Sequence, residues 1–85
     1  MKVIRINAIW CPGCIIMRKN WKKIQKDYPN LTYVDLDFDI DETEVIKYNV
    51  GDTLPISILF DNDNNELRRL IGEKPVKDII EFLEK

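Results

Sequence analysis

The stretch Trp10-Cys11-Pro12-Gly13-Cys14 holds the only two cysteines of this 85-residue chain, and an apolar segment comes directly before it. Proline is favoured at the first position of a helix, because its missing N–H needs no partner there and its fixed φ is already helical. We therefore expect a helix to begin at Pro12 with Cys11 as its N-cap, where free backbone N–H groups and the helix dipole favour a thiolate. The thiolate is the reactive form of cysteine, so the sequence predicts that Cys11 is a nucleophile.

Cys14 is expected about one helical turn after Cys11 and on the same side of the helix. From there its thiol can attack a mixed disulfide formed at Cys11 and release the reduced partner. A purely structural disulfide is disfavoured, because closing so short a loop restrains the unfolded chain very little. A zinc site within one chain is also disfavoured, since the sequence has no histidine and no further cysteine. Two chains that pool four thiolates around zinc or an iron–sulfur cluster, as a non-enzymatic binding module, stay an alternative.

Length and composition indicate a small globular protein. Residues 1–85 fit a single domain with one modest core, and 45% hydrophobic with 33% charged residues is typical of a soluble chain. No apolar run approaches the roughly 20 residues that span a bilayer, and the amino terminus has no features of a signal peptide. The net charge of −2 argues against a general nucleic-acid-binding protein. We therefore expect a cytoplasmic protein without nucleic-acid or membrane partners, a setting in which a CxxC pair is more often catalytic than structural.

Hydrophobic periodicity and turn residues predict the element order β-α-β-α-β-β-α. The predicted elements are a strand over 2–8, a helix over 12–27, a strand over 31–37, a short helix over 42–48, a hairpin of strands over 56–60 and 66–71, and a last helix that opens at Pro75. The first two strands should pair in parallel, because a helix connects them. Apolar residues recur on one face of the first helix, at Cys14, Met17, Trp21, Ile24 and Tyr28, and on one face of the last helix, at Val76, Ile79, Ile80 and Leu83. Asp41 and Glu44 have the spacing of a capping box, so we expect Asp41 to cap the short helix with its side chain.

This order of elements, with Trp-Cys-x-x-Cys at the first strand-to-helix junction, resembles the thioredoxin family over nearly the whole chain. Thr53-Leu54-Pro55 is similar to the segment in which the family carries a cis proline facing the cysteines, and Gly72 is similar to the glycine before the family's last helix. The chain looks like a minimal member without the extra amino-terminal strand and helix of full-size thioredoxins. The resemblance implies an α/β thioredoxin fold with a four-stranded mixed sheet, three helices and a cis Leu54–Pro55 bond.

The resemblance also implies reduction of protein disulfides by dithiol exchange, in which Cys11 attacks and Cys14 resolves. No cofactor is expected beyond a redox-active Cys11–Cys14 disulfide, and the expected partners of this monomer are protein disulfides and a recycling reductase. The positions that match the family's substrate-binding surface are Ile9, Trp10, Pro12, Leu54 and Pro55.

Some features resemble glutaredoxins instead. Trp10 before the first cysteine is similar to thioredoxins, whereas Cys-Pro-x-Cys and Thr-x-Pro are closer to glutaredoxins. Glutaredoxins usually follow the hairpin with a glycine pair and a polar motif that holds glutathione, and Gly72-Glu73-Lys74-Pro75 lacks such a motif. A glutaredoxin-like carrier that uses glutathione or donates electrons to ribonucleotide reductase is therefore the alternative within the same class.

Arg5 interrupts an otherwise apolar strand, six residues before Cys11. Thioredoxins carry a buried acid at this position, beside a lysine on the neighbouring strand, and that acid assists proton transfer at the second cysteine. Here the neighbouring strand offers Asp35, so we predict a charge-exchanged pair beneath Cys14 that modulates the site, because a charge in such a strand is costly without a partner. Two separate surface residues are the alternative. Arg5 cannot act as a base at ordinary pH.

Overall fold

The computed structural model describes residues 1–84, in which four β-strands and three α-helices follow the predicted order. They are β1 (Lys2–Asn7), α1 (Pro12–Ile24), β2 (Thr32–Asp37), α2 (Glu42–Val45), β3 (Ile56–Phe60), β4 (Glu66–Ile71) and α3 (Val76–Glu84). Single 3-10 turns continue α1 over Gln25–Asp27 and α2 over Ile46–Tyr48. Within residues 1–84, no helix has the length and apolar character needed to cross a membrane.

The four strands form one mixed sheet in the order β2-β1-β3-β4. β1 runs parallel to β2 and antiparallel to β3, and β3 and β4 form the predicted hairpin. Every residue of β3 is buried, as a central strand covered on both faces requires. The predicted thioredoxin fold, with its four-stranded mixed sheet and three helices, is therefore confirmed.

The core divides into two layers, because successive side chains of a strand point to opposite faces of the sheet. On one face, α1 and α3 pack on the sheet in a cluster that includes Val3, Met17, Trp21, Ile24, Leu59, Ile79 and Phe82. On the other face, α2 contributes Val45 to a cluster with Ile4, Ile6, Ile56, Ile58 and Phe60. The first layer brings the face of α1 that carries Cys14 toward the sheet.

Two local predictions need correction. Asp41 is the N-cap of α2, but its side chain makes no capping hydrogen bond. Its carboxylate instead accepts the backbone N–H of Asp37 at 2.8 Å, because the tight turn after β2 brings that donor closer. In α3, the predicted stripe is present, yet Phe82 is more deeply buried than Val76, Ile80 or Leu83, which are only partly buried.

Candidate active site

Cys11 lies where the chain turns from β1 into α1. Its backbone N–H donates to the Ala8 carbonyl at 3.2 Å, and its φ of −95° and ψ of 108° are those of an extended N-cap residue. The thiol sulfur of Cys11 accepts the backbone N–H of Cys14 at 3.2 Å. This is the capping contact that satisfies a free N–H of the first turn, and it places the sulfur at the positive end of the helix dipole.

Cys14 is the more deeply buried of the two free thiols, with 1% of its surface exposed against 5% for Cys11. Burial raises the pKa of the Cys14 thiol to about 11, and its hydrogen bond with Cys11 acts in the same direction. The positive charge of Arg18, one turn further along α1, opposes the rise in this pKa. Cys14 therefore stays protonated at neutral pH.

The loop before β3 closes over the start of α1. The Leu54–Pro55 bond is cis, Pro55 is buried, and Leu54 packs against the small cluster of Ala8, Cys11 and Cys14. A Cβ placed on Gly13 would lie 3.6 Å from Cδ of Pro55 and 3.4 Å from Cβ of Glu73. A side chain at position 13 would therefore make ordinary van der Waals contact with both residues, so the first turn of α1 lies directly against this loop.

Gly72 joins the same loop to the end of β4. Its N–H donates to the Pro55 carbonyl at 2.8 Å, and its φ of +87° is a conformation that glycine adopts without strain. The carbonyl of Pro55 therefore already accepts one hydrogen bond within the fold, which ties the loop before β3 to the end of β4.

Trp10 stands beside the thiols with 59% of its surface exposed, and the preceding Ile9 is 84% exposed. The Trp10 indole N–H donates to the Asp39 carboxylate at 2.7 Å, and the ring meets Phe38 edge-on with centroids 6.2 Å apart. Asp39 belongs to the turn after β2, where the Asp37 carboxylate accepts the backbone N–H groups of Asp39 and Ile40. This turn fixes the indole at the edge of the site.

Arg5 and Asp35 are register partners on β1 and β2 and form a two-pronged ion pair. Nε and Nη2 of Arg5 donate to the two carboxylate oxygens of Asp35 at 2.7 and 2.9 Å, and Nη1 donates to Gln25 at 2.9 Å. The Arg5 guanidinium also lies 5.3 Å from the Trp21 ring centre and 4.8 Å from that of Tyr33. These contacts stabilise the Arg5 guanidinium. The Arg5 side chain is only 13% exposed, whereas the Asp35 side chain is 61% exposed.

The structure thus brings several of the predicted site residues together and separates others. Cys11, Cys14 and Leu54 share one cluster, with Pro12 in the first turn of α1 and Pro55 packed beside it. Arg5 and Asp35 pair as predicted, but their contacts with Trp21 and Gln25 lie two to three turns beyond Cys14, so the pair sits farther along α1 than expected.

Sequence reasoning missed Asp39 and Arg18. Asp39 lies 29 residues after its indole partner, so only the folded turn shows their contact. Arg18 follows Cys14 by four residues, a spacing that does identify a neighbour on a helix and could have been used.

A family model for thioredoxin matches residues 1–85. The chain belongs to the thioredoxin family. Among curated members, thioredoxin H5 of Oryza sativa subsp. japonica is 29% identical over 70 residues, which are 82% of this chain and 50% of the rice protein. This thioredoxin-family chain thus spans about half the length of the curated relative it matches.

Two solved thioredoxins show the same fold. Thioredoxin-2, described as a component of malaria parasite protein secretion machinery, superimposes with a TM-score of 0.87 and 27% identity over 98% of this chain and 80% of its own. Mitochondrial thioredoxin 3 of Saccharomyces cerevisiae, in its oxidized form, gives a TM-score of 0.84 and 24% identity over 99% of this chain and 77% of its own. Family membership and the paired thiols support thiol–disulfide oxidoreduction as the general chemistry of the site.

Proposed function

We propose that this protein reduces disulfides of partner proteins by dithiol exchange. The observation that carries the proposal is the pairing of Cys11, a helix N-cap whose sulfur accepts the Cys14 N–H, with a Cys14 thiol held protonated by burial. The Cys11 sulfur is placed for the first nucleophilic attack, and the Cys14 thiol stays unreactive until a mixed disulfide forms at Cys11. Two-step exchange requires these two different roles.

The exchange balances without a cofactor. The Cys11 thiolate attacks one sulfur of the partner's disulfide, and the partner's other sulfur leaves as a thiolate that takes up a proton. The Cys14 thiol then loses its proton to water and attacks the Cys11 sulfur, which releases the partner's second thiolate and leaves a Cys11–Cys14 disulfide. Two electrons pass to the partner, and a reductase must return two electrons before the next cycle.

The surface around Cys11 supports binding of an extended partner segment. Ile9 and Trp10 offer exposed apolar area next to Cys11, and Leu54 packs against the cluster that contains both thiols, with the buried Pro55 following it in the same loop. Pro12 is exposed at the first turn of α1 and adds to the same rim. We further propose that the protein acts as a monomer in the cytoplasm, where a reductase keeps its cysteines reduced.

The proposal is tested by reduction of insulin, measured as turbidity, in two parallel reactions. One contains thioredoxin reductase with NADPH, and the other contains glutathione with glutathione reductase and NADPH. We expect turnover in the first reaction, loss of turnover in Cys11→Ser, and unchanged turnover in Lys23→Gln, an exposed substitution on the same helix. Turnover with glutathione alone would favour the glutaredoxin-like alternative. Metal in the purified protein together with inert thiols would favour the inter-chain metal site.

A further inference from the structure

An open cleft of about 470 Å³ lies between α2 and the turn after β2, on the face of the sheet opposite α1 and α3. Much of its lining is apolar and comes from Phe38, Val45, Ile46 and Val50. Val45 belongs to the buried core, whereas Ile46 is 70% exposed. The cleft therefore presents apolar surface that residues 1–84 leave uncovered.

The same cleft carries negative charge that the fold does not neutralise. Asp39 and Glu42 line it, and no lysine or arginine lines it within the described residues. Both carboxylates are exposed, and neither forms an ion pair with another residue of the described part of the chain. Oδ2 of Asp39 accepts the indole N–H of Trp10, a neutral donor. The lysine nearest along the chain, Lys47, is paired with Glu44.

The cleft is continuous with the surface around the two thiols. Phe38 lines the cleft and also packs against the cluster that contains Cys11 and Cys14. The Phe38 ring meets Trp10 edge-on, and Asp39 binds the same indole. A single side chain thus separates the thiol cluster from the cleft, so an extended partner segment at Cys11 that passes over Trp10 reaches it.

The mixed lining selects the chemistry of the occupant. An uncharged apolar side chain would cover Ile46 but would leave Asp39 and Glu42 unpaired, and an acidic side chain would be repelled by both. Lysine and arginine combine a long apolar stem with a charged end. The stem can pack on the apolar lining while the charged end pairs with the two carboxylates, an arrangement that satisfies both parts of the cleft.

We propose that this cleft binds a lysine or arginine side chain of the partner segment that carries the disulfide. Partner proteins with a basic residue near the reactive cysteine are then the preferred substrates, and Glu42 is a specificity-determining residue. The proposal rests on the proposed disulfide reduction, because it assigns a chemical class to the partner of that reaction.

The test measures attack on short peptides whose single cysteine carries thionitrobenzoate in a mixed disulfide. The Cys11 thiolate attacks the peptide sulfur and thionitrobenzoate leaves as a coloured thiolate, so absorbance gives the rate without a reductase. One position holds either lysine or norleucine, which has a similar apolar stem without the charge, and this position is moved along both sides of the cysteine. We expect lysine to raise the second-order rate constant at least about three-fold over norleucine at one position or at two neighbouring positions.

A matched pair of variants separates the cleft from general charge attraction. Glu42→Gln should lower the lysine-to-norleucine rate ratio at least about two-fold and leave the norleucine rate unchanged. Asp63→Asn removes the same charge at the exposed turn between β3 and β4, at the opposite end of the sheet, and should leave the ratio unchanged. A ratio near one at every position would overturn the proposal in favour of an uncharged apolar occupant. Equal loss in both variants would overturn it in favour of general charge attraction.

Binding without reaction separates this proposal from the disulfide reduction on which it rests. The peptides are prepared with serine in place of cysteine and titrated into the reduced, ¹⁵N-labelled protein. We expect saturable shifts of backbone amide signals over 38–50 with the lysine peptide, and weaker binding by Glu42→Gln. If these shifts occur but no peptide disulfide is attacked, disulfide reduction fails and the cleft remains a site for basic segments. If the same signals respond to the concentration of the protein alone and not to peptide, the occupant is a second copy of this chain and the proposal is overturned.

Discussion

Burial of the Cys14 side chain strongly disfavours its thiolate. With a pKa of about 11, roughly one Cys14 thiol in a thousand is ionised at pH 8. In the Cys11→Ser variant the hydrogen bond and charge of Cys11 are lost but burial still raises the Cys14 pKa, so we expect Cys14 to react slowly with iodoacetamide at pH 8 and the rate to keep rising above pH 9. Mass spectrometry of the alkylated peptide measures this rate. A plateau near pH 8 to 9 would contradict the assignment of a buried, weakly acidic thiol.

The roles proposed for the two cysteines lead to a trapping prediction. In Cys14→Ser, the sulfur at the helix N-cap is kept and the resolving thiol is absent, so a mixed disulfide with a partner should accumulate. In Cys11→Ser, the remaining thiol is buried and protonated, so little should be trapped. Non-reducing electrophoresis after mixing with a disulfide substrate distinguishes the two. Equal trapping by both variants would show that either sulfur can attack.

Asp35 allows the Arg5 pair to be tested by stability. Its own carboxylate is largely exposed, which limits the contribution of an ion pair. Its removal, however, leaves a mostly buried guanidinium with only Gln25 and two rings as partners. We expect Asp35→Asn to lower the free energy of unfolding by about 1 to 2 kcal/mol, between the values typical of exposed and of buried pairs.

Urea unfolding of Asp35→Asn is compared with that of Glu44→Gln, which breaks an exposed pair with Lys47 and should cost less than about 0.5 kcal/mol. If the two variants lose the same free energy of unfolding, the burial of Arg5 does not increase the contribution of its ion pair to stability. Alkylation of Cys14 in the same Asp35→Asn protein measures the modulating role, which stays a prediction. Faster alkylation would support it.

Single residues were predictable where one chemical rule decided the outcome. Pro12 indicated that Cys11 is an N-cap, and an arginine in an apolar strand indicated that Arg5 needs a carboxylate, which Asp35 supplies. Contacts that depend on the path of a turn were not predictable. The Asp41 carboxylate accepts the backbone N–H of Asp37, and the Asp39 carboxylate accepts the indole N–H of Trp10. The turn after β2 places these two donors closer than the partners that sequence spacing suggests.

At the level of elements, α3 holds the sheet through residues that its periodicity only partly identified. Ile79 is fully buried and Phe82 is 5% exposed, and both belong to the cluster that also contains Trp21 and Met17. Periodicity finds a face of a helix but not the depth of each position on it, since depth depends on the shape of the opposing layer. Phe82 was missed because it lies beside the predicted stripe and not in it.

Phe82→Ala tests the packing of α3. Removing a buried phenyl ring deletes its contacts and leaves a cavity, so we expect a loss of about 3 to 5 kcal/mol in the free energy of unfolding. Val76→Ala, at a partly buried position at the start of the same helix, should cost less than about 1.5 kcal/mol and serves as the control. Thermal or urea unfolding measures both. A Phe82→Ala loss no greater than that of the control would place the anchor of α3 elsewhere.

Over the whole molecule, the two faces of the sheet are lined by different kinds of side chains. The layer of α1 and α3 contains Trp21, the Arg5 pair and a cavity of about 280 Å³ beside them, whereas the layer of α2 has an apolar core and an open cleft lined in part by Asp39 and Glu42. The element order was predictable, because alternation, crossover length and turn residues agree along the chain. The cavity was not, since its walls come from β1, β2, β3 and α1, and it exists only after these elements pack.

The pH dependence of stability links the buried thiol to the whole fold. The Cys14 pKa rises from 9.0 to about 11 on folding, so the folded state favours the neutral thiol. A group of this kind stabilises the protein fully below about pH 9 and loses that contribution as the pH rises toward 11. Burial also raises the Tyr33 pKa above its ordinary value of 10.0, although Arg5 opposes this, so Tyr33 adds a loss at still higher pH.

Oxidation removes only the thiol part of this dependence, because a disulfide has no proton to lose. We expect the reduced protein to lose about 1 to 2 kcal/mol more than the oxidised protein between pH 8 and 10.5. Urea unfolding of both forms across this range measures the difference, and reduced Cys14→Ser should follow the shallower curve of the oxidised protein. Parallel curves for the reduced and oxidised proteins would mean that Cys14 ionises as readily in the folded state as in the unfolded chain, and that burial does not keep the resolving thiol protonated.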